Sequence, residues 1–221
     1  MTLRTSRKKT TIYLLRHAHS QANGAGILAG QKKGVKLSAQ GRKEASALIS
    51  ALTPLDIEQI HVSPMERCRE TIQPFLELNS SIDVIEEPAF IEMHYGEWTG
   101  AKLSALARKA LWKPIQKNPS LVRFPNGESF TEMSTRAIEG IARISELGGT
   151  HLVVSHGDVI RVILNHFAGA HLDNFQRLSI GPASLSSIVF HGGSASIHSM
   201  NIPVTVQKPG ESTLGGGSGK R

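Results

Sequence analysis

Two histidines in this chain stand where an imidazole can do chemistry. His17 follows Arg16 at the end of the first apolar run, residues 11–15, and His156, followed by Gly157, ends another at residues 152–154. A neutral imidazole is a nucleophile towards phosphorus, and a guanidinium clamps the oxygens of a tetrahedral anion. If both runs are strands of one parallel sheet, their carboxyl ends share an edge, which is where open α/β sheets bind ligands. The two imidazoles and the arginine then form an anion site. Either histidine alone reads only as a polar residue at a strand end.

Other chemistries suggested by local strings fail on spacing or context. His17-Ala18-His19 has the form of a metal-binding H-x-H pair, but that pair belongs to (β/α)8 barrels of about 250 residues. A guanidinium beside a divalent cation is also repulsive, so His19 is left to a loop or rim. Ser155-His156-Gly157-Asp158 holds triad residue types, yet neighbours along a strand face opposite ways and cannot relay a proton. No G-x-S-x-G elbow occurs. Cys68 has Pro74, not arginine, six residues on, which excludes a Cys-x5-Arg loop; it lies on a helix's apolar stripe and reads as core. Gly215-Gly216-Gly217-Ser218-Gly219-Lys220 imitates a P-loop, but Leu214 replaces its first glycine, Arg221 its final Ser/Thr, and no strand precedes it.

The elements that must position these residues alternate between strand and helix. Residues 11–15 form the first strand, followed by a glycine-rich loop. Ser38-Ala39-Gln40-Gly41 opens a helix whose apolar positions Ala45, Leu48, Ile49 and Leu52 keep the i, i+3, i+4, i+7 spacing. Residues 57–62 predict a strand running into Ser63-Pro64, with Pro64 in the first turn of the next helix. Cys68, Ile72, Phe75 and Leu76 stripe that helix, and Pro74 is expected to bend or end it. A strand at 82–85 follows. Residues 101–123 predict short helical pieces interrupted by Pro114 and Pro119, a cap over the sheet edge. Phe130, Met133, Ala137, Ile141 and Ile144 mark a long helix. Ile160, Ile163, Leu164 and Phe167 mark another after the 152–154 strand, and residues 185–190 and 195–200 flank Gly192-Gly193 as a hairpin. This pattern predicts an α/β three-layer sandwich: a mainly parallel sheet flanked by helices, with a small helical cap at about 97–125.

A chain of 221 residues with one cysteine needs neither disulfides nor a cysteine-held metal for its core. No apolar run approaches the roughly 18 residues of a membrane span. The basic start lacks an apolar segment after it, so a secretory signal is not expected; the expected location is the cytoplasm. The net charge of +7 is concentrated at the ends: between residues 11 and 206 there are 18 basic and 17 acidic residues. A specific nucleic-acid partner is therefore not expected. Residues 1–9 and 207–221, the latter Gly/Ser-rich, are expected to be mobile tails around a domain at 10–206.

Six strings resemble, in order, those of the histidine phosphatase superfamily, which includes cofactor-dependent phosphoglycerate mutases. They are Arg16-His17-Ala18-His19-Ser20-Gln21-Ala22-Asn23; Leu37-Ser38 with Gly41, Glu44 and Ala45; Ser63-Pro64 with Arg67, Cys68 and Thr71; Glu92 with Tyr95, Gly96, Trp98 and Gly100; Pro125-Asn126-Gly127-Glu128-Ser129; and Val154-Ser155-His156-Gly157. The resemblance spans about residues 11–190. It implies that His17 is the nucleophile and becomes phosphohistidine. It makes Arg16, Arg67 and His156 the phosphate pocket, Asn23, Ser20, Gly157 and Tyr95 further substrate contacts, and Glu92 the proton donor. Electrostatics asks for the same set: a positive cradle, an uncharged nucleophile and one carboxylic acid. Ala18 stands where the family most often has glycine, and its methyl is expected to crowd the loop beside the nucleophile. Ala22 stands where phosphoglycerate mutases usually carry tryptophan.

The expected function is hydrolysis of a small phosphorylated metabolite without metal or other cofactor. Phosphoglycerate mutase is the alternative enzyme, and an inactive phospho-ligand binding module the alternative of another class. The interval between Glu92 and Glu128 has no Arg-Arg pair of the kind mutases carry, which favours water as acceptor.

Overall fold

The computed structural model describes residues 8–204. The tail expected at 207–221 lies outside them, as do residues 1–7 of the other. The elements run β1 (Thr10–Arg16), α1 (Gln21–Gly24), α2 (Ala39–Leu52), β2 (Gln59–Val62), α3 (Glu66–Leu78), β3 (Asp83–Glu86), α4 (Leu103–Leu106), α5 (Trp112–Lys117), α6 (Phe130–Ser145), β4 (Gly149–Ser155), α7 (Gly157–Phe167), β5 (Ser184–His191) and β6 (Ser194–Pro203).

One sheet joins all six strands in the order β3-β2-β4-β1-β5-β6. The first four are parallel, and the β5–β6 hairpin adds antiparallel to β1. Strand periodicity splits the core into two apolar layers. Leu15, Ile60, Val62, Leu152 and Val154 face α2 and α3, whereas Ile12, Leu14, Val153 and Ile188 face α6 and α7. The sandwich therefore has three layers, and the central strands β1 and β4 are apolar on both faces. Because β4 lies between β2 and β1, the residues just beyond three parallel strands, Ser63, His156 and His17, emerge side by side at one edge.

Several helix boundaries depart from the sequence expectation. The helix after Ser63-Pro64 starts at Glu66, so Pro64 precedes it instead of occupying its first turn. Pro74 does not end α3, which continues to Leu78. Omitting one backbone bond there is tolerated because Ile72 and Phe75 stay anchored in the α2–α3 layer. Pro114 does not interrupt a helix but sits in the first turn of α5, where its missing N–H costs nothing. The β2 strand begins at Gln59, two residues later than expected. Leu103, Leu106, Ile115 and Phe124 insert into the α6–α7 layer, and edge strand β3 is exposed along its length.

Candidate active site

His17 leaves β1 with its backbone N–H bonded to the Ser155 carbonyl of β4 at 2.9 Å, which ties the two strand ends together. The next residue, Ala18, donates its N–H to Thr71 Oγ1 on α3 at 2.9 Å. The Ala18 methyl is fully buried in the α2–α3 layer. It does not crowd the pocket, as the sequence led one to expect, because the loop turns that face towards the core. His19 goes to structure as well: its N–H binds Glu44 at 2.8 Å, and its Nδ1 meets Ser38 Oγ, the N-cap of α2, at 2.8 Å.

The His17 ring is buried, with Nδ1 2.8 Å from the Ala18 carbonyl. A carbonyl only accepts, so Nδ1 carries the proton and the Nε2 lone pair is left for chemistry. Burial, then Arg67 and Arg16, hold its pKa well below the ordinary histidine range. His17 is therefore neutral at physiological pH, as a nucleophile must be.

His156 lies across from it, ring centroids 5.3 Å apart and steeply inclined. Its Nε2 is 2.7 Å from Ser63 Oγ, and its Nδ1 is 3.0 Å from Arg67 Nη2. The guanidinium can only donate, so Nδ1 accepts there and Nε2–H donates to the serine. Burial and Arg67 again depress the imidazole's pKa. Arg67, fully buried on α3, also donates through Nη2 to the Gly30 carbonyl at 2.9 Å. Arg16 donates to the Ile180 carbonyl and packs on Gly157, where a Cβ would meet the guanidinium at 3.3 Å. Burial lowers the Arg16 pKa to about 10, still a cation at neutral pH.

Three donors in this cradle, Arg16 Nε and Arg67 Nε and Nη1, are buried without an acceptor among the described residues. Buried N–H groups normally have partners. Two cations, their unsatisfied donors and the N-terminus of α7 at Gly157 together suit a tetrahedral anion.

Glu92 enters from the loop after Phe90. Its Oε1 accepts the Met93 N–H at 3.0 Å, and Oε2 lies 3.7 Å from His156 Nδ1. Burial first, then the charge of Asp158, push its pKa up to about 7, against the pull of Arg67. A carboxyl of that kind is half protonated near neutrality and can give its proton to an oxygen.

The remaining expected contacts are divided. Ser20 caps α1, and its N–H and hydroxyl both donate to Asn23 Oδ1. The Ser20 hydroxyl and the Asn23 side-chain oxygen are thus spent on the loop. Tyr95 is buried with its hydroxyl donating to Asp158 Oδ2 at 2.7 Å, and Asp158 also holds Arg161 at 3.1 Å. Tyr95 and Asp158 line a recess of about 40 Å³ with Leu28, Trp98, Leu103 and Trp112. Sequence reasoning passed over Ser63, Thr71, Asp158 and Arg161 as functional partners. The first three lay in quoted strings, Asp158 only in the rejected triad string, but only packing shows what they touch.

Comparison with known proteins bears on the family and the fold. A family model described as histidine phosphatase superfamily (branch 1) matches residues 12–203. A Schizosaccharomyces pombe protein named Probable phosphatase C1687.21 is 32% identical over 160 residues, 71% of this chain and 72% of that one. Probable phosphoglycerate mutase GpmB of Serratia proteamaculans is 28% identical over 182 residues, 80% of this chain and 83% of its own. Among solved structures, Bacillus stearothermophilus YhfR superposes with a TM-score of 0.82 at 24% identity, covering 87% of this chain and 97% of its own, a likeness of fold.

Proposed function

The chain belongs to the histidine phosphatase superfamily, and from that premise we propose that it is a metal-independent phosphatase that hydrolyses a small phosphorylated metabolite through phosphohistidine at His17. The family and its named relatives support phosphatase or mutase activity. The observation carrying the finer reading is the buried neutral imidazole of His17 facing the unsatisfied donors of Arg16 and Arg67.

His17 Nε2 attacks phosphorus in line while the guanidiniums and the Gly157 N–H bind the non-bridging oxygens. The P–O bond to the alcohol breaks, and Glu92 gives its proton to the departing oxygen. Glu92, now a carboxylate, takes a proton from water as that water attacks phospho-His17. Phosphate leaves and Nε2 regains its lone pair. In this reading the charge of the transferring group is balanced by arginine, so turnover persists in EDTA. A binding module would have no use for a carboxyl held near pKa 7.

Water is the acceptor in this reading because a mutase must hold a second anionic group while its intermediate reorients. The recess lined by Tyr95 and Trp98 offers apolar rings and Asp158, whose charge is already matched by Arg161. Between Glu92 and Glu128 no adjacent arginine pair stands ready to hold that second anion. Rapid quench with labelled substrate should trap an acid-labile, alkali-stable phosphoenzyme that is absent in His17→Ala. Label on another residue would sink the mechanism. Interconversion of 3- and 2-phosphoglycerate at rates comparable with the best phosphatase turnover would favour the mutase instead.

A further inference from the structure

The loop that carries Glu92 has its backbone gathered by a single side chain from a distant helix. Arg136, on α6, donates through Nη1 to the carbonyls of Ala89 and Ile91, both at 2.8 Å, and through Nη2 to that of Glu92 at 3.3 Å. Its other donors close on one carboxylate: Nε to Glu128 Oε2 at 3.1 Å and Nη2 to Glu128 Oε1 at 2.7 Å. Glu128 in turn accepts the His94 N–H at 2.8 Å, and its own N–H donates to the His94 carbonyl at 2.9 Å. The loop is therefore gripped on both sides of Glu92.

Helix α6 comes close enough to do this because of Gly140, one turn after Arg136. A Cβ at Gly140 would stand 2.9 Å from the Phe90 ring and 3.0 Å from the Ala89 Cβ. Gln31 completes the hold, donating to the Glu92 carbonyl at 2.8 Å. A guanidinium's planar fork can serve several carbonyls and a carboxylate at once, which an ammonium cannot. With the Glu92 main chain fixed and Oε1 tied to Met93 N–H, only Oε2 remains directed towards the histidines.

We propose that Arg136, locked by Glu128, is a positioning residue that aims the Glu92 carboxyl at the leaving oxygen. The inference rests on the proton-donor role given to Glu92 above. Arg136 hydrogen-bonds to none of Arg16, His17, Arg67 and His156, and its charge reaches His156 only at a distance, so its loss should weaken proton donation more than phosphate binding. Proton transfer in a transition state contributes ~10²–10⁴-fold when the leaving group is poor, and far less for an activated phenolate.

The test compares glycerol phosphate with p-nitrophenyl phosphate across wild type, Glu92→Gln, Arg136→Met and the double variant. Arg136→Met should lose roughly 10–10²-fold in kcat on glycerol phosphate, a part of the full donor contribution, and only a small factor on p-nitrophenyl phosphate. KM should move little. The double variant should be no slower on glycerol phosphate than Glu92→Gln alone, since a clamp has nothing left to aim. Arg136→Lys, which keeps the charge but not the fork, should lose the same substrate selectively. It also serves if the methionine variant does not fold. Equal losses on both substrates, or additive losses in the double variant, would overturn the positioning role while leaving Glu92 as donor. If Glu92→Gln itself slows both substrates equally, the donor assignment fails and the clamp's role with it.

Discussion

At the scale of single residues, the proposed mechanism makes opposite demands on ionisation within one buried cluster. His17 must be neutral, and burial beside two guanidiniums keeps it so from well below pH 6.5 upward. Glu92 must carry a proton, and burial beside Asp158 lets it do so up to about pH 7. Catalysis on a poor leaving group should therefore be level on the acid side and fall as pH rises through about 7. With p-nitrophenyl phosphate the alkaline fall should be much weaker, and Glu92→Gln should abolish it for both. An alkaline limb identical for the two substrates would assign it to another group. The same shift has a stability consequence. A carboxyl whose pKa is raised on folding binds more protons folded than unfolded between about pH 4.5 and 7, so stability declines across that window as pH rises. Glu92→Gln should then raise Tm more at pH 8 than at pH 5. Thermal unfolding at the two values checks this.

At the scale of elements, close approaches of backbone decide where the site loops lie. Gly41, in the first turn of α2, admits the backbone of His19: a Cβ there would stand 1.9 Å from the His19 carbonyl oxygen. Backbone cannot yield as a side chain can, so Gly41→Ala should destabilise by about 1–3 kcal/mol or more. This outweighs the ~1 kcal/mol that alanine adds to helix propensity. Urea unfolding reads it directly, and a neutral or stabilising result would mean the loop after His17 can shift. The N-cap of α6 is a milder case. Ser129 and Glu132 form a reciprocal capping box, and Ser129→Ala should cost about 1 kcal/mol. The helical periods of α2, α3, α6 and α7 were legible because their buried stripes follow 3.6 residues per turn, Phe130, Met133, Ala137, Ile141 and Ile144 being the clearest. Pro64 misled, and Pro74 left open whether the helix would end, because proline acts on its own turn alone. Whether a helix survives or starts there depends on what its face packs against.

For the whole molecule, charge is distributed unevenly around the site. Residues 17–43 and 98–127 contain no aspartate or glutamate, yet carry eleven lysines and arginines. The two segments touch: Leu28 N–H donates to the Ala101 carbonyl, and Leu103 N–H to that of Gly26. Lys102, Arg108, Lys109, Lys113 and Lys117 are all exposed. Glu66 and Glu70 reach the first segment and Glu132 pairs with Arg123 of the second, but the surplus of cations should draw anions and raise encounter rates, in a salt-dependent way. Reversing Lys109, Lys113 and Lys117 to glutamate together should lower kcat/KM about 10-fold at low salt, with kcat retained and the difference shrinking at high salt. A loss that persists at high salt would place these lysines in direct contact with substrate.

The sequence alone determined the alternation of strands and helices, the ends at which Arg16, His17 and His156 must lie, and the family to which six ordered strings belong. These are local properties, set by side-chain period and by neighbours a few residues away. Tertiary structure alone decided that the Ala18 methyl faces the core, that Tyr95 spends its hydroxyl on Asp158, and that Arg67 reaches His156 across 89 residues of chain. It likewise brought Arg136 to the Glu92 carbonyl from 44 residues away. It also set the protonation states. A histidine or glutamate has an ordinary pKa in the unfolded chain, and only its removal from water beside particular charges moves it. Desolvation is a property of everything packed around a group, and no spacing along the chain encodes it.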